Sequence, residues 1–245
     1  MPFPTQLQRY KQAILSLPKD TVLTKGELLT EEFLVDRDGK LEMYYAPHNE
    51  YRTPSAAVAI VGLTPGWAQM RIAIQEARIG LEEGLPDAEI CKRAKDAARF
   101  AGTMRSELIR MLDALELHHH LQIPSCESLF QEHQELLHST ALLRYPVFTD
   151  KNNYSGTRPE LMSNEFLRNH ALSSIREEMD IMNRALVIPL GKRVEEVLQL
   201  LVNEGKLKGV QCLWGFPHPS GANGHRHQQF AEHQEAMRGK IEAYF

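Results

Sequence analysis

Four short apolar runs, separated by segments with helical periodicity, constrain the fold of this chain more than any other feature. The runs are Ala56–Gly62, Ser139–Phe148, Ala185–Leu190 and Val210–Gly215. Each contains β-branched or aromatic residues and ends in or beside Gly, Pro or Asp, which is typical of strands buried on both faces. The segments predicted to be helices are Ser106–Leu117, Ser163–Met182, Lys192–Leu201 and Arg226–Tyr244.

Strands that alternate with helices predict an α/β fold. We expect a three-layer sandwich in which a central, mainly parallel four-stranded sheet is flanked by helices. The sequence shows no internal repeat, no low-complexity segment and no linker, so residues 1–245 are predicted to form a single domain. The Gly80–Pro86 and Thr149–Glu160 segments are predicted to be loops.

Composition and charge exclude several classes of protein. The three cysteines, Cys91, Cys126 and Cys212, are far apart and form no CxxC pair, which argues against a disulfide scaffold and a Cys-zinc or iron–sulfur site. No segment resembles a signal peptide or a membrane span, so we expect a cytoplasmic protein with no membrane partner. The formal net charge is −4, and any nucleic-acid surface would therefore be a local patch.

The first predicted strand continues into the turn Gly62-Leu63-Thr64-Pro65-Gly66. Parallel α/β sheets bind ligands beyond the carboxyl ends of their strands, where this turn lies. In this interpretation its main-chain N–H groups have no hydrogen-bond partner within the protein and bind a water, a base carbonyl or a phosphate. An ordinary strand-to-helix turn explains the same residues equally well.

The fourth predicted strand is followed by the loop Phe216–Asn223, in which His218 lies between Pro217 and Pro219. Because flanking prolines stiffen the backbone, the imidazole has a fixed direction, as a hydrogen-bond donor to a leaving group requires. A rigid loop with a solvated histidine is the alternative. Asn223 either contacts a base or caps the helix that follows.

The two motifs, in this order, resemble those of the uracil-DNA glycosylase superfamily, which has a G-x-x-P-G turn after the first strand and an H-P-S loop after the last. Arg99–Arg105 is similar to a P-F-x-G-x-x-G segment of the thermophile-type branch. The Phe of that segment stacks on the flipped base, so Phe100 inherits this role. Leu186–Val197 is similar to the superfamily's L-G-x-x-A element, and the resemblance covers residues 56–230.

The resemblance implies a monofunctional DNA glycosylase that flips a base, hydrolyses its N-glycosidic bond and leaves an abasic site. His218 would stabilise the departing base anion, and Thr64 would place the water. Ser220 and the Gly221 amide would grip a backbone phosphate, and Arg226 would neutralise charge or fill the gap in the duplex. DNA is the implied partner, with no cofactor and no obligate protein partner.

The chain departs from the superfamily's motifs at informative positions. In uracil-specific branches the turn carries Asp or Asn where this chain has Thr64, or Glu where it has Leu63. Since a hydroxyl is too weak a base to accept a proton from water, a carboxylate is needed unless C–N cleavage is largely dissociative. Asp150 is the candidate base, with a solvated turn residue as the alternative. Ala141 replaces the uracil-reading Asn, and Ala222 replaces a bulky wedge in the DNA-contacting loop.

The residues predicted to contact the substrate form an enlarged pocket. They are Gly62, Leu63, Pro65, Gly66, Phe100, Ala141, Asn153, Tyr154 and Asn223. A small Ala141 and a polar loop at Asn153 favour a base larger or more polar than uracil, such as glucosylated hydroxymethylcytosine in phage DNA, which indicates anti-phage defence. The alternatives are excision of uracil or another deaminated base, a catalytically inactive nucleic-acid-binding module, and hydrolysis of a free modified nucleoside.

Clustered histidines are the residues that a metal site would use. His218, His225, His227 and His233 lie close together in the sequence. They form no HExxH motif and have no nearby pair of carboxylates, so we predict no metal site. The His118–His120 run is predicted to lie on the surface at a helix C-terminus.

Overall fold

The computed structural model describes residues 5–19 and 21–245, which form two compact units. The helices of the described residues are α1 (Leu7–Ser16), α2 (Lys25–Leu28), α3 (Trp67–Glu82), α4 (Asp87–Ala98), α5 (Thr103–Ala114), α6 (Leu117–Leu121), α7 (Glu165–Met182), α8 (Lys192–Asn203) and α9 (Arg226–Tyr244). The strands of the same residues are β1 (Leu34–Asp38), β2 (Leu41–Tyr44), β3 (Val58–Gly62), β4 (Leu137–Ala141), β5 (Val147–Thr149), β6 (Asn152–Asn153), β7 (Leu186–Pro189) and β8 (Gln211–Cys212).

The two units are each built from several separate stretches of the chain. Unit 1 contains the described residues up to Arg52, Thr64–Ala101 and Leu143–Ala171. Unit 2 contains Thr53–Leu63, Gly102–Leu142 and Leu172–Phe245. This division does not decide whether residues 1–245 form a single domain, which stays a prediction.

Unit 2 contains a parallel four-stranded sheet in the order β4-β3-β7-β8. The α/β class and a four-stranded parallel sheet are thereby confirmed. Strands β3 and β7 are apolar and buried along nearly their whole length, as expected for parallel strands covered on both faces. Because the strands are parallel, their carboxyl ends lie on one edge of the sheet, here named the carboxyl edge.

Unit 1 contains a second sheet, which the sequence analysis did not predict. It is antiparallel, in the order β1-β2-β5-β6. The prediction of one strand over Ser139–Phe148 is wrong, because the run divides into β4 and β5. Pro146 directly precedes β5 and has no N–H to give to a ladder, so continuous pairing through this position is disfavoured. The β structure is therefore not a single central parallel sheet.

Helix boundaries follow the apolar periodicity except where the backbone turns left-handed. The predicted helix Arg226–Tyr244 coincides with α9. The predicted helix Ser106–Leu117 divides into α5 and α6, because Glu116 has a φ of 60° and ends the run of right-handed helix. The predicted loop Gly80–Pro86 begins later than expected, since α3 continues to Glu82. In the described part of the chain, no helix has both the length and the apolar character needed to cross a membrane.

A buried carboxylate organises the interior of unit 1. Glu50 ends a 3₁₀ turn, Pro47–Glu50, and is buried. Its carboxylate accepts hydrogen bonds from the hydroxyls of Tyr45 at 3.0 Å and Tyr145 at 2.6 Å. It also accepts the main-chain N–H of Gln6 at 3.1 Å. Because burial penalises the charged form, the pKa of Glu50 is raised.

A buried histidine and carboxylate connect α7 to the parallel sheet inside unit 2. The Nε2 atom of His138, in β4, lies 3.0 Å from Oε2 of Glu178, in α7. The Nδ1 atom accepts the main-chain N–H of Thr53 at 3.4 Å, so the ring proton is on Nε2 and is donated to the carboxylate. This bond fixes the C-terminal half of α7 on β4.

The three cysteines are free and buried. Cys91 belongs to unit 1, whereas Cys126 and Cys212 belong to unit 2. Burial raises the pKa of each thiol, to about 12 for Cys212. The thiols are therefore protonated at neutral pH, and none is activated as a nucleophile.

Candidate functional site

The loop after β8 places His218 at the carboxyl edge of unit 2. The turn after β7 supports this loop, because the main-chain N–H of Gly191 donates to the Phe216 carbonyl at 2.9 Å. Gly191 has a φ of 83° and a ψ of 161°, a conformation that is open almost only to glycine. A Cβ at this position would lie 2.9 Å from the Cβ of His218. The glycine thus allows the His218 loop to pack directly on the end of β7.

The hydrogen bonds of His218 define its protonation state. The main-chain N–H of Ser220 donates to Nδ1 at 3.3 Å, and the Ser220 hydroxyl lies 2.9 Å from the same atom. Since Nδ1 accepts, the proton of the neutral ring is on Nε2. Burial lowers the pKa of His218, which favours this neutral form at pH 7. No group among the described residues hydrogen-bonds Nε2, so this N–H is available to a ligand.

Neighbouring polar groups fix the remainder of the His218 loop. Glu195, in α8, accepts the Gly215 N–H at 2.6 Å. The side-chain amide of Asn223 donates to the His218 carbonyl at 3.2 Å. The N-cap of α9 is His225, so Asn223 does not have the predicted role of helix cap. It braces the loop instead, and its contact with a base stays a prediction.

We expect Gly191→Ala to destabilise the protein by about 2–4 kcal/mol, because it combines backbone strain with overpacking against His218. Urea unfolding followed by circular dichroism measures this change. Gly224→Ala is the matched control, because a Cβ there meets no atom within 4 Å, and we expect a change below about 0.5 kcal/mol. Equal stability of Gly191→Ala and the wild type would show that the loop does not need this close approach.

Two small residues lie side by side at the carboxyl edge. Gly62 and Ala141 are register partners at the ends of β3 and β4, and the Leu142 N–H donates to the Gly62 carbonyl at 2.9 Å. Leu63 follows directly and is half-buried. Strand β3 also pairs with β7, whose following turn supports the loop of His218. Gly62 and Ala141 therefore add little volume and no polar side chain to the edge.

The residues after Leu63 belong to unit 1, where the polar groups of Thr64 are already in use. The Thr64 hydroxyl donates to the Tyr145 carbonyl and accepts the Val147 N–H, both at 3.1 Å. Its proton and one of its lone pairs are therefore committed to the backbone. Placement of a water by Thr64 stays a prediction that would depend on the remaining lone pair.

Two amides at the end of the turn have side-chain partners. The Gly66 N–H donates to Gln69 Oε1 at 3.1 Å, and the Trp67 N–H donates to Asn153 Oδ1 at 3.0 Å. These bonds satisfy the first donors of α3. The expectation of bare amides is therefore wrong at the start of this helix. Asn153 is exposed and serves here as a cap, whereas Pro65 is buried.

The hairpin between β5 and β6 contains Asp150 and leads to Tyr154. The side chain of Asp150 is 61% exposed, and its carboxylate lies 3.0 Å from Lys40 Nζ. This exposed ion pair favours the solvated turn residue over the catalytic base, which requires a site that excludes water. Tyr154 is buried and donates its hydroxyl to the Pro159 carbonyl at 2.6 Å. Both side chains therefore have structural partners within unit 1.

Phe100 has a backbone conformation that is rare for a bulky residue. It follows α4 with a φ of 52°, in the left-handed region. Such strain persists only where the surrounding structure enforces it, and it is concentrated at functional sites. The residue is 6% exposed, so stacking on a flipped base requires the ring to be uncovered. The stacking role stays a prediction.

The segment predicted to contact the DNA backbone lies directly before α9. Gly221 and Ala222 are exposed, and Ser220 is half-buried. Arg226, the first residue of α9, is partly buried and its Nε atom lies 3.6 Å from Glu107 Oε1. Its guanidinium is held beside α5, which does not favour the predicted insertion into a duplex.

The sequence matches a bacterial protein along nearly its whole length. It is 38% identical over 239 residues to the uncharacterized protein YoxB of Bacillus subtilis (strain 168), and the match covers 97% of this chain and 93% of YoxB. The chain belongs to the YoxB family. No family model matches the sequence. Because the match to YoxB is nearly end to end, it extends over both compact units of this chain.

Sequence analysis missed basic residues that lie beside the His218 loop in this member of the YoxB family. Lys192 and Arg193 begin α8, directly after Gly191, with side chains 86% and 50% exposed. Both face one carboxylate, Glu196, at 3.8 and 3.1 Å. Glu195 and Glu196 balance the two cations, so this turn of α8 offers two exposed cationic side chains but no net charge. A Gly-Lys-Arg sequence directly after a buried strand was the signal that could have identified them.

Proposed function

We propose that the protein is a monofunctional DNA glycosylase, which flips a base out of DNA and hydrolyses its N-glycosidic bond to leave an abasic site. His218 carries the proposal, because it combines a rigid position at the carboxyl edge, a neutral ring and an Nε2–H that has no partner among the described residues. Open α/β sheets bind their ligands at this edge. The proposal includes the three-layer sandwich around the parallel sheet and a cytoplasmic location.

The reaction requires a hydrogen-bond donor for the departing base. When the C1′–N bond breaks, its electron pair stays with the base and positive charge builds up on the sugar. The Nε2–H of His218 donates to the base carbonyl oxygen on which negative charge accumulates. Water adds to C1′ and loses a proton to solvent, and the released base anion takes a proton from solvent. A cation that has already formed needs little help from a general base, which is consistent with the exposed position of Asp150.

Groups around the His218 loop suit the phosphates of a DNA strand. Gly221 and Ala222 are exposed in the segment before α9, and the cations Lys192 and Arg193 begin α8. Main-chain N–H groups and cationic side chains both bind the phosphates of DNA without reading its base sequence.

The proposed target is a modified cytosine, such as the glucosylated hydroxymethylcytosine of phage DNA, which would make the protein an anti-phage enzyme. The small pair Gly62 and Ala141 supports this choice. A side-chain amide at the Ala141 position would read uracil by its donor and acceptor pattern, and alanine has no such group. Excision of uracil or another deaminated base is the alternative target within the same reaction.

Matched oligonucleotides test the reaction and its target together. The DNA contains one uracil, hypoxanthine, hydroxymethylcytosine or glucosylated hydroxymethylcytosine, and alkali converts any abasic site into a strand break. We expect breaks only in the DNA with the glucosylated base. Breaks at uracil alone would support the glycosylase reaction and show that uracil is its target. Absence of breaks in every DNA would contradict the glycosylase.

The two hydrogen bonds of Thr64 favour a second candidate, a catalytically inactive nucleic-acid-binding module. The hydroxyl that would place the water already donates one hydrogen bond to a main-chain carbonyl and accepts one from a main-chain N–H. Filter binding across a salt series distinguishes this candidate, because phosphate contacts give an affinity that falls steeply with salt concentration. Tight, salt-dependent binding without strand breaks is its expected result.

A further inference from the structure

Three side chains with metal-binding atoms converge in unit 2, separate from the His218 loop. Asp113 lies in the last turn of α5, His118 lies in α6, and Cys126 begins the 3₁₀ turn Cys126–Phe130. Their ligand atoms all lie within 4.8 Å of one another. Left-handed residues bound α6 on both sides, Glu116 between it and α5 and Gln122 between it and the segment of Cys126.

A hydrogen bond positions Asp113, and the imidazole of His118 lies beside the same carboxylate oxygen. The Cys126 N–H donates to Asp113 Oδ1 at 2.6 Å, which fixes the carboxylate. The His118 Nδ1 atom lies 3.3 Å from the same oxygen, but it is buried and makes no hydrogen bond. Ligand atoms around a tetrahedral zinc ion lie about 3.3–3.8 Å apart. The oxygen and the nitrogen already have this spacing, and the Cys126 sulfur lies within 4.8 Å of the other ligand atoms.

We propose that Asp113, His118 and Cys126 bind a zinc ion. A thiolate and an imidazole favour zinc over magnesium or calcium, which prefer oxygen ligands. Binding replaces the thiol proton of Cys126, which is released to solvent. Asp113 and His118 are partly exposed, so an ion can enter from solvent and keep a water as its fourth ligand.

The site has a competing interpretation, in which Cys126 packs as a small apolar residue and Asp113 only caps the 3₁₀ turn. That interpretation explains the bond from the Cys126 N–H to Asp113. It leaves the buried Nδ1 of His118 without a hydrogen bond, 3.3 Å from Asp113 Oδ1. Zinc coordination gives this nitrogen, the carboxylate and the sulfur a common partner.

Cobalt(II) titration of the untagged full-length protein, stripped with a chelator, tests the site. Co²⁺ replaces Zn²⁺ in tetrahedral sites, and a thiolate ligand gives a sulfur-to-cobalt charge-transfer band. We expect one cobalt per chain, this band, and its loss when Zn²⁺ is added. His118→Gln and Cys126→Ser should weaken cobalt binding by more than about 100-fold, since even outer-sphere changes cost 10–100-fold.

Two matched variants control for indirect effects. His119→Gln changes an exposed neighbour that packs against the His118 ring at 4.1 Å, and Cys212→Ser changes another buried thiol of unit 2. Both should bind cobalt as the wild type does. Absence of the band in the wild type, or the same band in Cys126→Ser, would overturn the proposal. If circular dichroism shows that Cys126→Ser does not fold, the variant of the partly exposed His118 decides the result. Equal cobalt binding by His118→Gln and His119→Gln would then overturn the proposal.

Discussion

Replacing His218 by alanine is expected to lower the rate of base excision by about 10²–10³-fold, the effect of removing one donor to a developing anion. The variant should still bind DNA, because the exposed residues before α9 and the cations of α8 are unchanged. Single-turnover cleavage of the DNA with the best target base measures the rate, and filter binding measures the affinity. A loss of rate without a loss of affinity places His218 in the chemical step.

His225→Ala is the matched control for this variant. His225 is exposed, lies between the Phe216–Asn223 loop and α9, and makes no side-chain cap to that helix. We expect it to retain the wild-type rate within about twofold, since surface changes away from special features have small effects. Excision by His218→Ala at the wild-type rate would remove the observation on which the glycosylase proposal depends.

Glu50→Ala is expected to destabilise the protein by about 3–5 kcal/mol. The substitution leaves the hydroxyls of Tyr45 and Tyr145 and the N–H of Gln6 without their acceptor, and each buried unsatisfied group costs about 1–3 kcal/mol. Urea unfolding at pH 7 measures the loss. Glu42→Ala removes a more exposed acceptor of a tyrosine hydroxyl in the same unit and should cost about 1 kcal/mol. Equal losses in both variants would contradict a special role of Glu50.

Glu50→Gln separates the charge of Glu50 from its shape. Burial raises the pKa of Glu50 above its ordinary value of 4.5, so the folded state holds this proton more tightly than the unfolded state. The stability that comes from this proton is fully present below pH 4.5 and is lost as pH rises through the raised pKa. Relative to Glu50→Gln, the wild type should become less stable as pH rises above 4.5. A constant difference in unfolding free energy between the two proteins across this range would show that the pKa is not raised.

The parallel sheet was predictable because buried parallel strands are short, continuous apolar runs. The runs that became β3 and β7 need no partner information to be recognised. The antiparallel sheet was not predictable in the same way. Its strand β1 is mostly exposed and contains Asp36, Arg37 and Asp38, and β2 pairs with β5, a distant part of the chain. Such strands are defined by their pairing, which local pattern does not contain.

The candidate site was predictable in its position and less so in its side-chain chemistry. His218 was identified from its flanking prolines, and its pKa and tautomer came only from the structure. The partners of Thr64 are main-chain groups of residues 145 and 147, which no local sequence signal could provide. Between Asp113 and Cys126 the backbone turns left-handed at Glu116 and Gln122, positions where the sequence has no glycine to indicate a turn.

Because the native thiols are buried, their chemical modification reports local opening of the folded protein. Alkylating reagents react with thiolates, so a protonated and inaccessible cysteine is modified only when its surroundings open transiently. Cys91 therefore reports the opening of one compact unit, and Cys212 reports the opening of the other. Modification rates of the two thiols, followed by mass spectrometry in the absence of denaturant, compare how readily the surroundings of each thiol open, and no new residue has to be introduced.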